Sequence, residues 1–293
     1  MKKLCKLTQE FVPLSELTTF KIGGVARFVC FPQNFKELIK LKELCAKRNI
    51  SHFILGNGSN CLIKDEFFDG IVICTKKLNR IKLKNDGVVT VECGVLLPKL
   101  CSFCVKNGLS GLEALCGIPA TIGGAVKMNA GAFGTEIGDV VECVTVFENG
   151  KTIKLDKSKL FFQYRKSVFT KSENCVILSV VLRLKKSTSL LVQSKIKEFT
   201  LKRSATQNVG YPSAGSVFKK NVVPSSKLIA DCGLKGARIG GAMVSNVHAG
   251  FIVNLGGATC VDVLNLIALI KREVKKKFSV ELELELIILG GEK

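Results

Sequence analysis

The sequence predicts an α+β protein with more than one lobe, and three observations carry that prediction. Strand-like segments come in runs with occasional helices between them, not in strict βαβ alternation. A stretch from Gly108 to Gly138 carries eight glycines, at 108, 111, 117, 123, 124, 131, 134 and 138, between two strand-rich regions. The chain, at 293 residues, is long enough for two or three cores, and its character changes at the lysines and serines near 185–189.

Taken in order, ARFVCF (26–31) reads as a strand ended by Pro32, and Asn34 caps a helix whose apolar residues recur at helical spacing up to Asn49. HFILG and CLIKD read as strands around the tight loop Gly56, Asn57, Gly58, Ser59, Asn60. GIVIC and VVTVEC follow, then a helix over Leu97–Lys106. VVECVTVFENGKTIKL predicts a β-hairpin, because Asn149-Gly150 supplies the positive φ angles of its turn. CVILSVVLRL (175–184) closes this half. Beyond it come a helix over 190–203, a turn-rich QNVGYPSAGSVFKKN, a short helix in SSKLIADCG, and a loop LKGARIGGAMVSNVHAGFIVN. An amphipathic helix over 261–277 ends on three lysines that suit its negative end. VELELELIIL predicts a half-buried strand with one carboxylate face.

Composition bounds the function. With 47% hydrophobic and 23% charged residues the chain is globular. The N-terminus lacks an apolar block with a small-residue cleavage site, and no apolar run reaches membrane-span length, so a cytoplasmic protein is expected. Thirteen cysteines in apolar contexts read as small buried hydrophobes. Cys101 and Cys104 form one C-x-x-C, but no second pair stands at zinc spacing and the only histidines are His52 and His248, so neither a metal nor a redox role is expected. A net charge of +20 invites a nucleic-acid reading. The lysines are evenly spread, however, and with no Trp and two Tyr no aromatic platform interleaves with them. A solvated surface, part of which attracts phosphorylated small molecules, is the better reading.

The glycine stretch has two readings, a set of turns in a loop-rich surface or a wall that a ligand approaches closely, and its density favours the wall. The 56–60 loop starts like G-x-G-x-x-G, but position 61 is Cys and no helix follows, so a Rossmann reading fails. A plain turn and an anion-holding nest of backbone N–H groups, helped by Ser59 and Asn60, both stay open.

LGNGSN, GLEALCGIPATIGGAVKMNAGA, FFQYRKSVF, PSAGSVFK, LKGARIGGAMVSNVHAGFIVN and VELELELIILG resemble, in order and spacing, the UDP-N-acetylenolpyruvoylglucosamine reductases (MurB) from about Thr19 to Gly290. The resemblance implies a PCMH or vanillyl-alcohol-oxidase-type FAD-binding domain of two subdomains, 1–75 and 76–187, and an α+β substrate domain over 188–293. It implies an oxidoreductase of bacterial peptidoglycan precursor synthesis, a UDP-N-acetylmuramate dehydrogenase that uses NADPH through FAD to reduce the enolpyruvyl ether of its UDP-sugar. It places FAD against Gly56, Asn57, Gly58, Ser59, Asn60, Ile118, Pro119, Ala120, Gly123, Gly124, Asn129, Ala130, Gly131 and Ala132. Catalytic roles fall to Arg165, Ser216 and Glu285, and substrate contacts to Tyr164, Arg203 and Lys219.

The chemistry of those types agrees. Arginine can pair bidentately with a carboxylate whose charge grows, and a hydroxyl can donate a proton to carbon. Ser216 as an acyl-transfer nucleophile is the poorer reading, since AGSVF lacks the G-x-S-x-G elbow. The chain departs from many relatives at Asn208, where Pro is usual, at Ile287, where Arg is usual, and at Lys220-Asn221. The short separation of Arg165 and Ser216 resembles the class without an inserted tyrosine loop. A monomer is expected. Another FAD-dependent oxidase of the same fold and a basic nucleic-acid-binding protein are the competing functions.

Overall fold

A computed structural model describes residues 5–172, 174–207 and 210–290, so Asn208 lies outside the described residues. The chain divides into two units, one of residues 1–9, 29–57 and 71–203, the other of 10–28, 58–70 and 204–293.

The first unit is built on a five-stranded sheet in the order Lys151–Asp156, Val141–Glu148, Val176–Arg183, Val88–Glu92, Ile81–Leu83. Its hairpin turns where the sequence predicts. Glu148 stands opposite Lys151, and Asn149 and Gly150 have φ of 49° and 77°. Val141–Glu148 does not alternate cleanly between core and solvent, because register shifts after Val141 and after Thr145 put Cys143, Val144, Val146 and Phe147 all in the core. Beside this sheet, His52–Leu55 pairs in parallel with the 71–74 part of Phe68–Cys74.

Two predicted helices of this unit form for the predicted reasons. Asn34 caps Phe35–Lys47 by accepting from the Glu37 N–H at 2.9 Å, and Leu38, Leu41, Lys42 and Cys45 make its inward stripe. Lys42 is a buried exception to a lysine population expected to be mostly solvated. It is 6% exposed, with its Nζ 2.7 Å from Nε2 of His52, and burial lowers its pKa. Leu97–Lys106 buries Leu97, Leu100, Cys101 and Cys104 on one face.

In the second unit, Ser213–Ser216, Phe251–Asn254, Ala242–Val244 and Arg238–Ile239 make an antiparallel sheet in that order. Three of these strands replace the loop expected over 234–254. Its glycines hide strands of two to four residues, and the entirely buried Phe251–Asn254 offers no alternation to read. Helix Cys260–Phe278 packs on this sheet through Val263, Leu266, Ile267, Ile270 and Val274. Thr259 and Asp262 cap it reciprocally, at 3.1 and 3.0 Å.

The C-terminal segment keeps the expected faces, with Leu282 and Leu286 buried and Glu281 and Glu283 exposed. It is not one strand, however: only Ile287–Leu289 pairs, in parallel with Cys61–Ile63, and a single bridge joins Leu284 to Phe218. A buried cluster of Phe20, Ile22, Leu62, Val217, Ile252 and Leu286 among others unites these pieces.

Candidate active site

In the first unit the structure brings the 56–57 turn onto the start of the glycine stretch. The Asn57 amide donates to the Pro119 carbonyl at 2.6 Å. A Cβ on Gly56 would stand 2.3 Å from Oγ1 of Thr121. That hydroxyl accepts from the Gly124 N–H at 3.4 Å and so caps a helix, Ile122–Met128, that the glycines conceal from sequence reading.

Much of the glycine density answers to the chain itself. A Cβ on Gly123 would meet Cys93 at 3.0 Å, and one on Gly131 would meet the Thr135 carbonyl at 2.8 Å. Gly124 differs: it is exposed, and its nearest neighbour would be Thr121 Oγ1 at 3.5 Å. Exposed Pro119 and Gly124 and half-exposed Gly56, Asn57, Ile118, Ala130, Gly131 and Ala132 thus present a surface poor in side chains. Such a surface fits a flat ring system held by backbone contact. Ala120 and Asn129 are buried behind it. The Asn129 amide is engaged inside the chain, donating to Glu136 Oε2 at 2.6 Å and to the Gln163 carbonyl at 2.9 Å, while its Oδ1 accepts from Gly138 at 3.0 Å.

Arg165 stands on this unit in the left-handed region, at φ 53°. Its guanidinium donates to the carbonyls of Gly131, at 2.9 Å, and Asn129, at 3.5 Å, with Glu136 at 3.8 Å and the Tyr164 ring centroid at 4.8 Å. Glu136 is a partner that sequence reading missed. Its one available signal was an acidic residue within a stretch otherwise short of charge. Arg203 lies on helix Ser189–Gln207 with its guanidinium 5.8 Å from the Phe133 ring centroid.

In the second unit Ser216 follows Gly215, at φ 76°, across a register shift of the strand, and stands opposite Phe251. The next residue organises the surroundings. Val217 donates to the Gly250 carbonyl at 2.9 Å, and its own carbonyl accepts from Glu285 N at 2.9 Å. The Asn60 amide donates to the Glu285 carbonyl at 2.9 Å. Lys219 pairs with Glu283 through Nζ, and its N–H donates to the Glu283 carbonyl at 2.9 Å. Asn60, Ser216, Lys219 and Glu285 therefore share one locality.

His248 was also missed as part of it. Its Nδ1 accepts from the Gly250 N–H at 3.2 Å, and burial lowers its pKa, keeping it a neutral acceptor. Ser59 forms with Gly58, at φ 61°, the remaining part of the loop in this unit. Among the described residues no group of three or more His, Cys, Asp or Glu is arranged to hold a metal ion, and no helix is long and apolar enough to cross a membrane.

Residues 26–156 match the FAD binding domain family, and residues 207–289 match the UDP-N-acetylenolpyruvoylglucosamine reductase C-terminal domain. These define a flavin-dependent oxidoreductase of the α+β, PCMH-type class with a dedicated second domain. The chain is 43% identical over 291 residues to the UDP-N-acetylenolpyruvoylglucosamine reductase of Carboxydothermus hydrogenoformans, covering 99% of this chain and 96% of that one. It is 44% identical to that of Caldicellulosiruptor saccharolyticus, covering 97% and 94%. The crystal structure of UDP-N-acetylenolpyruvylglucosamine reductase (MurB) from Thermus caldophilus superposes with a TM-score of 0.82 at 36% identity, covering 96% of this chain and 99% of that one. The chain belongs to the UDP-N-acetylenolpyruvoylglucosamine reductase family, and its cofactor is FAD.

Proposed function

We propose that the chain converts UDP-N-acetylenolpyruvoylglucosamine to UDP-N-acetylmuramate with NADPH, with Arg165, Ser216 and Glu285 as its catalytic residues. The observation that supports this reading most is the setting of Ser216. Ser216 follows a positive-φ glycine, and the backbone beside it is held at Val217, whose carbonyl takes the Glu285 N–H.

Gly56–Asn60 and Ile118–Ala132 would hold FAD, which when bound would supply the hydride chemistry that the reduction of the enolpyruvyl group needs. Arg165 draws the substrate carboxylate and favours the state in which negative charge spreads onto it, a bidentate task for which a guanidinium is suited. Ser216 donates a proton to the neighbouring carbon, which completes the saturated ether. Glu285 orients the substrate beside Ser216, while Tyr164, Arg203 and Lys219 contact the nucleotide-sugar. The competing oxidase reading leaves the Ser216–Val217–Glu285 arrangement without a task. The cytoplasmic location, the monomeric state and the division at 1–75, 76–187 and 188–293 belong to the same proposal.

Stopped-flow measurement of the two half-reactions tests it. Ser216→Ala should leave NADPH bleaching of the flavin near normal and slow reoxidation by the enolpyruvyl substrate by about 10² to 10⁴-fold. Arg165→Lys should slow the same half-reaction, since a point ammonium cannot reproduce the guanidinium fork. Unchanged reoxidation in Ser216→Ala removes that serine as the proton donor.

A further inference from the structure

The turn that carries Arg165 is anchored by one buried side chain. Gln163 and Lys166 exchange two backbone hydrogen bonds, each of 3.0 Å, so Tyr164 and Arg165 form the two-residue tip of a tight turn. The Gln163 carbonyl, at the base of that turn, also accepts from the Asn129 amide at 2.9 Å. Just past the turn the hydroxyls of Ser167 and Thr170 both donate to the Lys127 carbonyl, at 2.8 and 3.0 Å. The turn is thus fastened to the end of helix Ile122–Met128, whose C-cap is Asn129 at φ 44°.

We propose that Asn129 is a positioning residue for Arg165, its amide holding the base of the turn so that the guanidinium meets the substrate carboxylate with its fork aimed. Asn129 has this role only on the reading that Arg165 draws the substrate carboxylate, and it acts through Arg165 alone.

The side chain is committed to the chain itself. Asn129 is 1% exposed. Its amide nitrogen donates to the Gln163 carbonyl and to Glu136 Oε2, at 2.9 and 2.6 Å, and its Oδ1 accepts from the Gly138 N–H at 3.0 Å. An amide with both hydrogens spent in this way has none to offer a flavin. Asn129 meets the arginine by two routes: its own carbonyl accepts from Arg165 Nη1 at 3.5 Å, and its side chain holds the residue two positions before Arg165. The same amide steadies Glu136, whose Oε1 stands 3.8 Å from Nη1.

The residue type follows from these demands. A positive φ is tolerated by Gly, Asn and Asp. Two donors beside an acceptor exclude Gly and Asp. The consequence for the reaction is large because the fork must meet a carboxylate in one orientation, and a misplacement of about 1 Å costs about 10²-fold in rate.

A charge-neutral swap tests the role. Asn129→Asp combined with Glu136→Gln reverses the hydrogen bond between these two side chains, keeps the acceptor for Gly138 and leaves the number of charges unchanged. What it deletes is the donor to the Gln163 carbonyl. In FAD-loaded protein, stopped-flow measurement should show reoxidation by the enolpyruvyl substrate slowed about 10- to 100-fold more than reduction by NADPH. In an Arg165→Lys background the swap should add less than about 3-fold, because the fork that it aims is gone. In FAD-free protein, deuterium uptake by a peptide covering 160–169 should be about 5-fold faster, as for one lost hydrogen bond. Asn129→Gly keeps the positive φ and drops the whole side chain, and it should show the same selective slowing even if the swap does not fold. Equal slowing of both half-reactions, or a full additional cost of the swap in Arg165→Lys, would overturn the proposal by leaving Asn129 a structural role only. Slow reoxidation in Arg165→Lys with normal reoxidation in the swap and in Asn129→Gly would remove Asn129 alone, whereas normal reoxidation in Arg165→Lys would remove the reading of Arg165 and the role of Asn129 with it.

Discussion

Gly56→Ala is the substitution whose cost can be worked most directly from the geometry. The new methyl would stand 2.3 Å from Thr121 Oγ1, 3.4 Å from its Cβ and 3.5 Å from its Cγ2, so only the hydroxyl is in its way. If Thr121 turns aside, the cap on Gly124 is lost, at about 1 kcal/mol. If the 56–57 turn retreats instead, the bond from Asn57 to Pro119 goes, at about the same cost. Either response destabilises the first unit by about 1–2 kcal/mol. Thr121→Ala alone should cost about 1 kcal/mol as a lost cap. In that background the nearest remaining contact is the ordinary one at 3.4 Å, and Gly56 has no positive φ to forbid a side chain. Gly→Ala then gains about 0.4–1 kcal/mol from a less flexible unfolded chain, so the second substitution becomes neutral or stabilising. A double-mutant cycle by urea denaturation of the FAD-free protein should thus give a coupling of about 1–3 kcal/mol. Equal costs for Gly56→Ala with and without the Thr121 hydroxyl would refute the reasoning, because they would show that the clash lies elsewhere.

Asn254→Ala should be the more damaging change in the second unit. Asn254 is 4% exposed, donates to the carbonyls of Phe20 and Lys21 at 3.1 and 3.2 Å, and accepts from Gly256 and Ala258 at 2.9 and 3.2 Å. Loss of these bonds, with buried partners left unpaired, should cost about 2–4 kcal/mol in a denaturant titration, and less than about 0.5 kcal/mol would mean that the loop re-pairs without it. His248 predicts a pH dependence. Its folded pKa is lowered from 6.5, so its contribution is fully present above 6.5 and declines as pH falls from 6.5 towards the folded value, where the unfolded chain takes up the proton first. Comparison of unfolding free energies for the unsubstituted chain and His248→Gln between pH 7.5 and 5 should show a flatter profile in the variant, and parallel profiles would exclude His248 as the titrating group.

What the sequence disclosed and what it withheld divide along physical lines. Helices Phe35–Lys47, Leu97–Lys106 and Cys260–Phe278 are legible because caps and apolar spacing are local codes, and the Asn149-Gly150 hairpin is legible because its turn demands those residues. The 238–254 strands are not, since they are short and glycine-punctuated, and Phe251–Asn254 is buried along its whole length. In VELELELIIL alternation reports which face is wet, but whether a ladder forms depends on a partner more than two hundred residues away, at Cys61–Ile63. The glycine stretch was legible as a place of close approach, but not as to what approaches. At Gly56, Gly123 and Gly131 it is Thr121, Cys93 and Thr135 of the chain itself that approach.

The proposed catalytic residues were reachable from the sequence only by resemblance, and the structure supplies the reason. Each sits where regular structure is interrupted: Arg165 at a positive φ, Ser216 after a positive-φ glycine and a register shift, and Glu285 between an isolated bridge and the start of a strand. Periodicity, the main signal a sequence offers, is silent at interruptions. A left-handed arginine costs about 1–3 kcal/mol and persists only when its surroundings over-determine it. At Arg165 the surroundings are the carbonyls of Gly131 and Asn129, the carboxylate of Glu136 and the ring of Tyr164. Three of these belong to the glycine stretch itself. The same backbone that leaves a side-chain-poor surface beside Gly124 thus also fixes the guanidinium, which ties the proposed cofactor wall and the proposed carboxylate anchor to one short segment of the chain.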